Sequence, residues 1–289
     1  MPELPEVETI VRGLARRIVG DTITSVWIGS RPQPLKSPAT EIVQTLEGAR
    51  IEGIRRAGKH IVVALARPRD SKPVRSKTKR SRENEPGDAM SSAHWVVHLG
   101  MTGRLVVCET GAEVAKHTHL VATLASGREL RFIDPRMFGK LSVHAAIFDP
   151  GGVEPLDVDE ETFINLFRGR KTPIKSALLN QKLLRGVGNI YADESLFRAG
   201  IRPRRRASTI TGPQLAKLYE SVREVLREAI ELGGSSISDY VDADGEEGFF
   251  QLKHRVYGRE GEKCLVCKTP IRRVVLSGRS SHYCPKCQK

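Results

Sequence analysis

Two CxxC pairs, Cys264-Leu-Val-Cys267 and Cys284-Pro-Lys-Cys287, stand sixteen residues apart near the end of the chain. This spacing falls within the pattern of structural zinc sites, in which each tight CxxC turn offers two thiolates to one tetrahedral ion. Two disulfides are the alternative. The acidic start Met-Pro-Glu-Leu-Pro-Glu is unlike a signal peptide, and disulfides are rare in the reducing cytosol. The pattern therefore predicts one structural Zn²⁺ held by all four cysteines.

The residues between the two pairs have the pattern of a β-hairpin. Ile271-Arg-Arg-Val-Val-Leu276 and Ser281-His-Tyr283 are β-prone, and Gly278 suits the turn between them. Zinc would clamp the open end of this hairpin and leave Arg279 at its exposed tip, where a cation suits phosphate or groove contact. A module this small is expected to fold only with its metal, as a DNA-binding finger. The fifth cysteine, Cys108, lies in an apolar run and is expected to be a buried hydrophobe.

The charge of the chain points to a polyanionic partner. The formal net charge is +13, with 39% hydrophobic and 28% charged residues, which excludes a membrane protein and wholesale disorder. Residues 67–82 carry eight basic residues against one acidic residue, and residues 253–289 carry ten against two. The rest of the chain is nearly neutral. Nucleic acid fits such segments, although solubilising tails remain an alternative reading of the charge alone.

The periodicity divides the chain into a β-rich first half and a helical second half. Apolar residues recur at helical spacing over residues 7–18, and Gly20 ends that helix. Short β-branched runs follow, as in a sandwich or barrel, over residues 22–28, 51–56, 60–65, 95–99, 104–108, 118–124, 129–133 and 140–143. Helical patterns cover residues 159–168, 174–184, 189–199 and 213–232.

These patterns predict a domain order. A β-sandwich domain with an N-terminal helix is expected over residues 1–148, interrupted by a basic, disordered insertion at 67–93. A linker rich in Gly and Pro follows at 149–157. The helical domain takes residues 158–252 and includes a Gly-, Ser- and Asp-rich loop at 233–248, and the zinc hairpin takes 253–289.

The N-terminus is the first place where chemistry is suggested. Methionine is usually removed before a small residue, which would leave Pro2 with a free secondary amine able to form an iminium with a sugar. An α-amino group has a pKa near 7.7–8.0 against about 10.4 for lysine, so roughly a few hundred times more free base is present at pH 7. Glu3 and Glu6 lie nearby as possible proton donors. The simpler interpretation is that these residues only open a helix.

Other candidates are weaker on their own. Lys59 follows Gly58 in a turn between strands, and by itself it is interpreted as an ordinary surface lysine. Asp134-Pro-Arg-Met-Phe138 is a turn with a cation and an aromatic wedge, and His117 with His119 forms a spaced pair. Without a comparison to known families, these patterns predict a zinc-containing DNA-binding protein and leave open whether it is an enzyme.

Several motifs together resemble those of bacterial formamidopyrimidine-DNA glycosylases, which remove oxidised purines. The similarity covers nearly the whole chain apart from residues 67–93 and follows the family's order. It is carried by the zinc pairs and by Pro2-Glu-Leu-Pro-Glu-Val-Glu-Thr9, His98-Leu-Gly-Met-Thr-Gly103, Asp134-Pro-Arg-Met-Phe-Gly139, Gly186-Val-Gly-Asn-Ile-Tyr-Ala192 and Val256-Tyr-Gly-Arg259.

The resemblance implies an α+β fold: an N-terminal helix and β-sandwich, then a helix–two-turn–helix domain with a four-cysteine zinc-finger β-hairpin. It implies that duplex DNA with oxidised bases or abasic sites is bound with the damaged nucleotide flipped out. Pro2 is then the nucleophile, Glu3 the acid for base departure, Lys59 the proton donor in β-elimination and Arg279 that in δ-elimination. The loop at 233–248 closes on the flipped base.

The resemblance also implies the DNA contacts. Phosphate and base contacts fall on His117, Arg136, Lys171 and Asn189, and the vacated stack is filled by Met101, Arg136 and Phe138. Met137 departs from the pattern, because many relatives have a second arginine there. The zinc is structural, since four thiolates leave no open ligand position. A monomer in the cytoplasm, associated with the nucleoid, is expected.

Three alternatives remain open. One is the sister group that acts on oxidised pyrimidines, although Leu4 stands where that group typically has glycine. Another is a zinc-finger DNA-binding protein with an idle active site. The last is a zinc-ribbon RNA-binding protein, which the number of matching motifs makes remote. The insertion at 67–93 is interpreted as an additional nonspecific DNA tether.

Overall fold

The computed structural model of the protein describes residues 1–67, 91–236 and 248–289. The predicted insertion at 67–93 and the predicted lesion-recognition loop at 233–248 fall largely outside these ranges, so their predicted roles are not addressed by the fold. Among the described helices, none is long and apolar enough to cross a membrane.

Two four-stranded sheets make up the β-rich half, as the short β-branched runs predict. One sheet has the order β1-β6-β7-β5 and the other β2-β3-β4-β8. In the first sheet all three pairings are antiparallel. The strands are β1 (Ile23–Ile28), β2 (Arg50–Ala57), β3 (His60–Arg67), β4 (Ser91–His98), β5 (Arg104–Glu109), β6 (Thr118–Leu124), β7 (Arg128–Ile133) and β8 (Lys140–His144). All eight strands expected from the sequence are present.

The inward side chains of both sheets are fully buried apolar groups. Residues 61–63 on β3 and 95–97 on β4 are all buried, and Phe132 on β7 is also inaccessible. Both faces of these two strands are therefore covered, because successive side chains of a strand point to opposite faces of its sheet.

The helices are α1 (Leu4–Ile18), α2 (Ala39–Leu46), α3 (Glu160–Phe167), α4 (Ile174–Leu178), α5 (Asn189–Ala199) and α6 (Gly212–Glu231). The prediction of a helix over 174–184 is wrong beyond Leu178. The Asn180 side chain accepts from the backbone N–H of Lys182 (3.0 Å), and its carbonyl accepts from that of Leu183 (2.8 Å), so a turn replaces the helix. Helix α2 was not predicted, although buried Ile42 and Leu46 have its i, i+4 spacing.

The predicted zinc hairpin is present as β9 (Arg272–Leu276) and β10 (Arg279–Tyr283). Leu276 pairs with Arg279, which leaves a two-residue turn of Ser277 and Gly278. Both turn residues have positive φ, at 49° and 74°. This is the requirement of a type I′ hairpin turn and explains the glycine. Arg279 is exposed at the end of the hairpin, as predicted.

The described chain forms two compact units that do not follow sequence order. One consists of Met1–Gly13, Arg56–His60 and Asp149–Lys289, and the other of Leu14–Arg55 and Ile61–Phe148. The first unit has a helical core into which Leu4 packs, fully buried, with residues of α3 to α6. The start of the chain therefore belongs to the core of the later half. The linker and finger boundaries drawn from the sequence stay predictions.

Candidate active site and nucleic-acid interface

The N-terminal segment lies against the Gly186-Val-Gly188 turn, and both glycines are needed for that approach. Leu4 donates its backbone N–H to the carbonyl of Gly186 (3.1 Å). A Cβ on Gly186 would stand 2.8 Å from the Leu4 side chain, and the φ of Gly186 is +89°. A Cβ on Gly188 would overlap the Glu3 carboxyl group. The motif thus forms a cradle for Glu3 and Leu4, which explains its two glycines.

Glu3 is held, buried, at the start of α5. Its side chain is 5% exposed, and Oε1 accepts from the backbone N–H of Ile190 at 3.5 Å. Oε2 has no hydrogen-bond partner within the described part of the chain. Burial raises the pKa of Glu3 to about 7, against the opposing charge of Lys59 and with a smaller contribution from Glu6. Glu3 is thus a carboxylic acid with a proton to give near neutral pH.

Glu6 has a different task from Glu3, although the sequence suggested either as a proton donor. One Glu6 oxygen, Oε2, accepts from the backbone N–H of Glu3 (2.8 Å). The other accepts from the Tyr191 hydroxyl and from the backbone N–H of Ser235 (2.8 Å). The carboxylate is 2% exposed, and Gly234 lies close against it. Glu6 therefore anchors the N-terminal segment, while Glu3 has the unpartnered oxygen.

Lys59 is buried rather than an ordinary surface lysine. It is 9% exposed in the turn between β2 and β3, where Gly58 has a φ of 59°. Burial lowers its pKa, the carboxylates of Glu3 and Glu6 raise it, and Arg279 lowers it further. The site thus contains two buried groups whose pKa values are displaced towards each other, which is typical of acid–base chemistry.

An ion-pair network holds the turn that carries Lys59. Arg56 is 7% exposed and binds Glu8 at 2.9 Å and Glu154 at 2.6 Å. Glu154 also binds Arg185 at 3.0 Å. Removing one partner of a buried pair leaves the other charge uncompensated, so this network fixes the turn against α1.

Sequence reasoning missed a buried ion pair behind the zinc hairpin. Lys175 and Asp193 are 1% and 0% exposed, and their charged atoms are 2.7 Å apart. Lys175 also donates to the carbonyl of Ser280 (2.6 Å), and Asp193 accepts from the backbone N–H of His282 (2.8 Å). The pair therefore binds β10 directly after Arg279. A lysine within an apolar helix pattern was the available signal.

The four predicted zinc ligands come together. The Sγ atoms of Cys264, Cys267, Cys284 and Cys287 all lie within 4.8 Å of one another. Two of these separations are 3.9 Å and 3.4 Å. Tetrahedral zinc with Zn–S bonds near 2.3 Å requires S···S distances of about 3.8 Å, so the geometry fits one Zn²⁺ and is too long for disulfides. Cys108, half-buried, is not among them.

Two loops of the sheet unit bring the predicted wedge residues together. Met101 is 43% exposed and Phe138 is 53% exposed, with the Arg136 guanidinium 5.0 Å from the centre of the Phe138 ring. The loops are adjacent, because a Cβ on Gly100 would lie 2.5 Å from the Phe138 carbonyl carbon. Asp134, buried, holds the second loop by accepting from Thr102 (2.6 Å) and Gly139 (2.7 Å).

The remaining predicted DNA contacts are divided between the two units. His117 lies in the sheet unit with a positive φ of 68°, held where its carbonyl accepts from Asp134 (3.0 Å). Lys171 is exposed before α4, and Asn189 is the half-buried first residue of α5, both in the helical unit. Within each unit these polar groups lie at loops or element ends, where binding residues are commonly found.

Comparison with known proteins identifies the family. The family model described as the formamidopyrimidine-DNA glycosylase N-terminal domain matches residues 1–141, its H2TH domain matches 152–241, and the zinc finger found in FPG and IleRS matches 261–289. The formamidopyrimidine-DNA glycosylase of Solibacter usitatus is 46% identical over 299 residues, covering 100% of both chains. The chain belongs to the formamidopyrimidine-DNA glycosylase family. Family members are DNA N-glycosylases with AP lyase activity.

Solved formamidopyrimidine-DNA glycosylase structures agree with the fold. The Thermus thermophilus protein is 37% identical with a TM-score of 0.80, covering 99% of this chain and 98% of that one. The Lactococcus lactis protein bound to DNA with an abasic site is 31% identical with a TM-score of 0.82, covering 99% of each. The predicted α+β architecture with an H2TH domain and a four-cysteine hairpin is thereby confirmed.

One departure from the glycosylase pattern has a structural counterpart. Met137 has a φ of 57°, and its Sδ lies 3.8 Å from a guanidinium nitrogen of Arg31. A cation is therefore present beside the position at which many relatives have a second arginine.

Replacing Gly188 by alanine tests the cradle. The added methyl group must displace the Glu3 carboxyl group, since the two would overlap. We expect base excision by Gly188→Ala to fall about 100-fold or more, because general acid catalysis contributes roughly 10²–10⁴-fold. Gly212→Ala is the matched control, since a Cβ there meets nothing within 4 Å. Equal excision rates for the two variants in single-turnover assays would show that the position of Glu3 in the cradle does not matter for excision.

Proposed function

We propose that the chain removes oxidised purines, including 8-oxoguanine and formamidopyrimidines, from duplex DNA and then cleaves the strand, using the N-terminal amine of Pro2 as nucleophile. The observation that supports this best is the position of Pro2. It is buried and directly followed by the acid Glu3, which lies within electrostatic range of the buried cation Lys59. Membership in the glycosylase family supports the reaction class.

The first step forms the covalent intermediate. The Pro2 nitrogen, freed by removal of Met1, donates its lone pair to C1′ of the damaged nucleotide, and the bond from C1′ to the base breaks. Glu3 gives its proton to the departing base and then, as the carboxylate, takes the proton from the Pro2 nitrogen. It passes this proton to O4′ as the C1′–O4′ bond breaks and the sugar ring opens. The product is an iminium between Pro2 and C1′. A buried carboxylic acid with a pKa near 7 suits this donor role.

Strand cleavage follows from the iminium. The iminium acidifies C2′, so loss of a C2′ proton expels the 3′-phosphate in β-elimination. The resulting conjugated iminium acidifies C4′, so loss of a C4′ proton then expels the 5′-phosphate. We assign proton transfer in the first elimination to Lys59, whose pKa is lowered by burial. The second is assigned to Arg279, exposed at the end of the zinc hairpin and close enough to influence Lys59.

The remaining residues bind and distort the DNA. His117, Arg136, Lys171 and Asn189 are assigned to the strand, and Met101 with Arg136 and Phe138 to the gap left by the flipped nucleotide. Zn²⁺ would be held by the four cysteines and would stabilise the hairpin that carries Arg279. We place this work in the cytoplasm at the nucleoid, carried out by a monomer.

Borohydride trapping tests the proposal, because borohydride reduces an iminium to a stable cross-link. We expect a cross-link that maps to Pro2 on a duplex with 8-oxoguanine opposite cytosine, and none on an undamaged duplex. Trapping only on a thymine glycol duplex would instead assign the chain to oxidised pyrimidines. Tight binding of the 8-oxoguanine duplex without any cross-link would leave a DNA-binding protein with an idle site.

The pH dependence of excision should show Glu3 as an acid. The active form needs protonated Glu3 and a free Pro2 amine, so excision rises as the amine deprotonates and falls as Glu3 ionises through a pKa of about 7. Glu3→Gln should lower excision of 8-oxoguanine by roughly 10²–10⁴-fold and remove the alkaline decline. Cleavage of a preformed abasic site should suffer less, because no base has to leave. An unchanged alkaline decline in Glu3→Gln would exclude Glu3 as the acid.

A further inference from the structure

The sheet unit contains a basic cavity that the proposed chemistry leaves largely unused. It has a volume of about 210 Å³ and lies where β1 ends beside the start of β6. We call it the Trp27 cavity. Its lining residues are Trp27, Gly29, Ser30, Arg31, Lys116, His117, Thr118 and His119.

Trp27 gives the cavity an aromatic wall. The indole is 52% exposed on β1, whereas Trp95, the other tryptophan, is fully buried. Gly29 leaves room for the ring, because a Cβ there would stand 3.3 Å from the far end of the indole. The Gly29 backbone is fixed by donating to the carbonyl of His119 (3.0 Å). A flat aromatic face is therefore presented on a rigid strand end.

The remaining wall is cationic. Arg31 and Lys116 are both exposed, and His117 adds a ring that is held in place through its backbone. None of the eight described lining residues carries a carboxylate. The cavity therefore combines a stacking surface with an uncompensated positive charge, and this combination binds nucleotides of any base, since every base has a π face.

We propose that the Trp27 cavity binds one unpaired nucleotide, with its base stacked on Trp27 and its phosphate neutralised by Arg31 and Lys116. The volume is below the roughly 300–1,000 Å³ of sites for drug-sized ligands, so it suits a single nucleotide rather than a longer ligand. The inference rests on the proposed function, because His117 is shared with the proposed DNA contacts. The nucleotide can be an unpaired strand end of bound DNA or a free nucleotide.

Tryptophan fluorescence reports on this cavity directly. Trp27 and Trp95 are the two tryptophans of the chain, so a change on ligand addition that Trp27→Phe abolishes comes from Trp27. We expect quenching by a lesion duplex with a short single-stranded tail, or by a deoxynucleoside monophosphate, and much weaker quenching by the nucleoside alone. Quenching by the tailed duplex only identifies a strand end as the ligand, and quenching by the monophosphate identifies a free nucleotide. No quenching by either would overturn the proposal.

Variants separate stacking from charge. Trp27→Ala should weaken tailed-duplex binding relative to blunt-duplex binding by about 5- to 150-fold, and Trp27→Phe by less. Arg31→Ala combined with Lys116→Ala should make the difference between tailed-duplex and blunt-duplex binding less dependent on salt. The slope of log K against log salt concentration for the tailed duplex should fall by about one, which corresponds to one phosphate. Arg16→Ala, an exposed cation on α1, is the matched control and should change neither. If inorganic phosphate competes as well as the nucleotide and Trp27→Ala binds normally, the site is an anion site and the proposal fails.

The proposed function can fail separately. Borohydride trapping on a blunt 8-oxoguanine duplex does not use the Trp27 cavity, so Trp27→Ala should retain it in full. Quenching without trapping in the unaltered protein would refute the glycosylase mechanism and keep the cavity. Trapping without quenching would refute nucleotide binding in the Trp27 cavity and keep the glycosylase mechanism.

Discussion

A variant with additional residues ahead of Pro2 should give no borohydride cross-link on the 8-oxoguanine duplex, while still binding it. The extension turns the proline nitrogen into an amide, whose lone pair is delocalised and cannot attack C1′. We expect a loss of about 10³-fold or more, since removing a nucleophile usually has effects of this size. Gel analysis of the cross-link together with mapping of the modified residue gives the measurement.

Pro2→Gly is the control for this experiment. It keeps an N-terminal amine and should retain part of the trapping, whereas the extended chain should retain none. Full trapping by the extended chain would mean that another amine is the nucleophile. Lys59 would then be the next candidate, because it is buried beside Glu3 and its pKa is lowered.

Loss of zinc should have the second large effect. The finger has a hydrophobic core of four buried residues, Val256, Cys264, Ile271 and Cys284, so we expect its folding to depend on the metal. Chelation, or Cys284→Ser, should release the zinc and weaken DNA binding by roughly 100-fold or more. Residues 253–289 carry ten basic residues, and loss of two charge-assisted contacts of about 1.5–3 kcal/mol each has an effect of this size. Metal analysis and binding isotherms measure both effects.

Cys108→Ser provides the matched control, since Cys108 lies on β5 and is not part of the cysteine cluster. It should keep one zinc per chain and normal affinity. DNA binding that survives complete zinc removal would show that the hairpin folds without metal, and the stabilising role assigned to the ion would be wrong.

Local signals in the sequence were sufficient for the strands and the metal site. The β-branched runs of β3 and β4, the CxxC pairs and the glycine of the hairpin turn each depend on residues that are neighbours in the sequence. Helix α4 was predicted too long because Asn180 forms hydrogen bonds with its own backbone neighbourhood, which apolar periodicity does not reveal.

The chemistry of the site was less accessible from the sequence, because it depends on contacts over long sequence distances. The difference between Glu3 and Glu6 arises from Tyr191 and Ser235, and the burial of Lys59 cannot be read from a turn. The ion pair of Lys175 with Asp193 is invisible for the same reason. The resemblance supplied the candidate residues, whereas the direction of their pKa shifts could be obtained only from the folded structure around them.

The packing of Leu4 and Glu3 against residues 186–190 also has a consequence for biosynthesis. A ribosome makes the N-terminal segment first and the cradle more than 180 residues later. During that interval Met1 can be removed while the segment is extended, before Pro2 becomes buried. The same interval leaves the new amine without its acid in position, since Glu3 acquires its raised pKa only in the folded protein. The proposed nucleophile is thus made early, and its proposed acid comes into position only when the later half of the chain has folded.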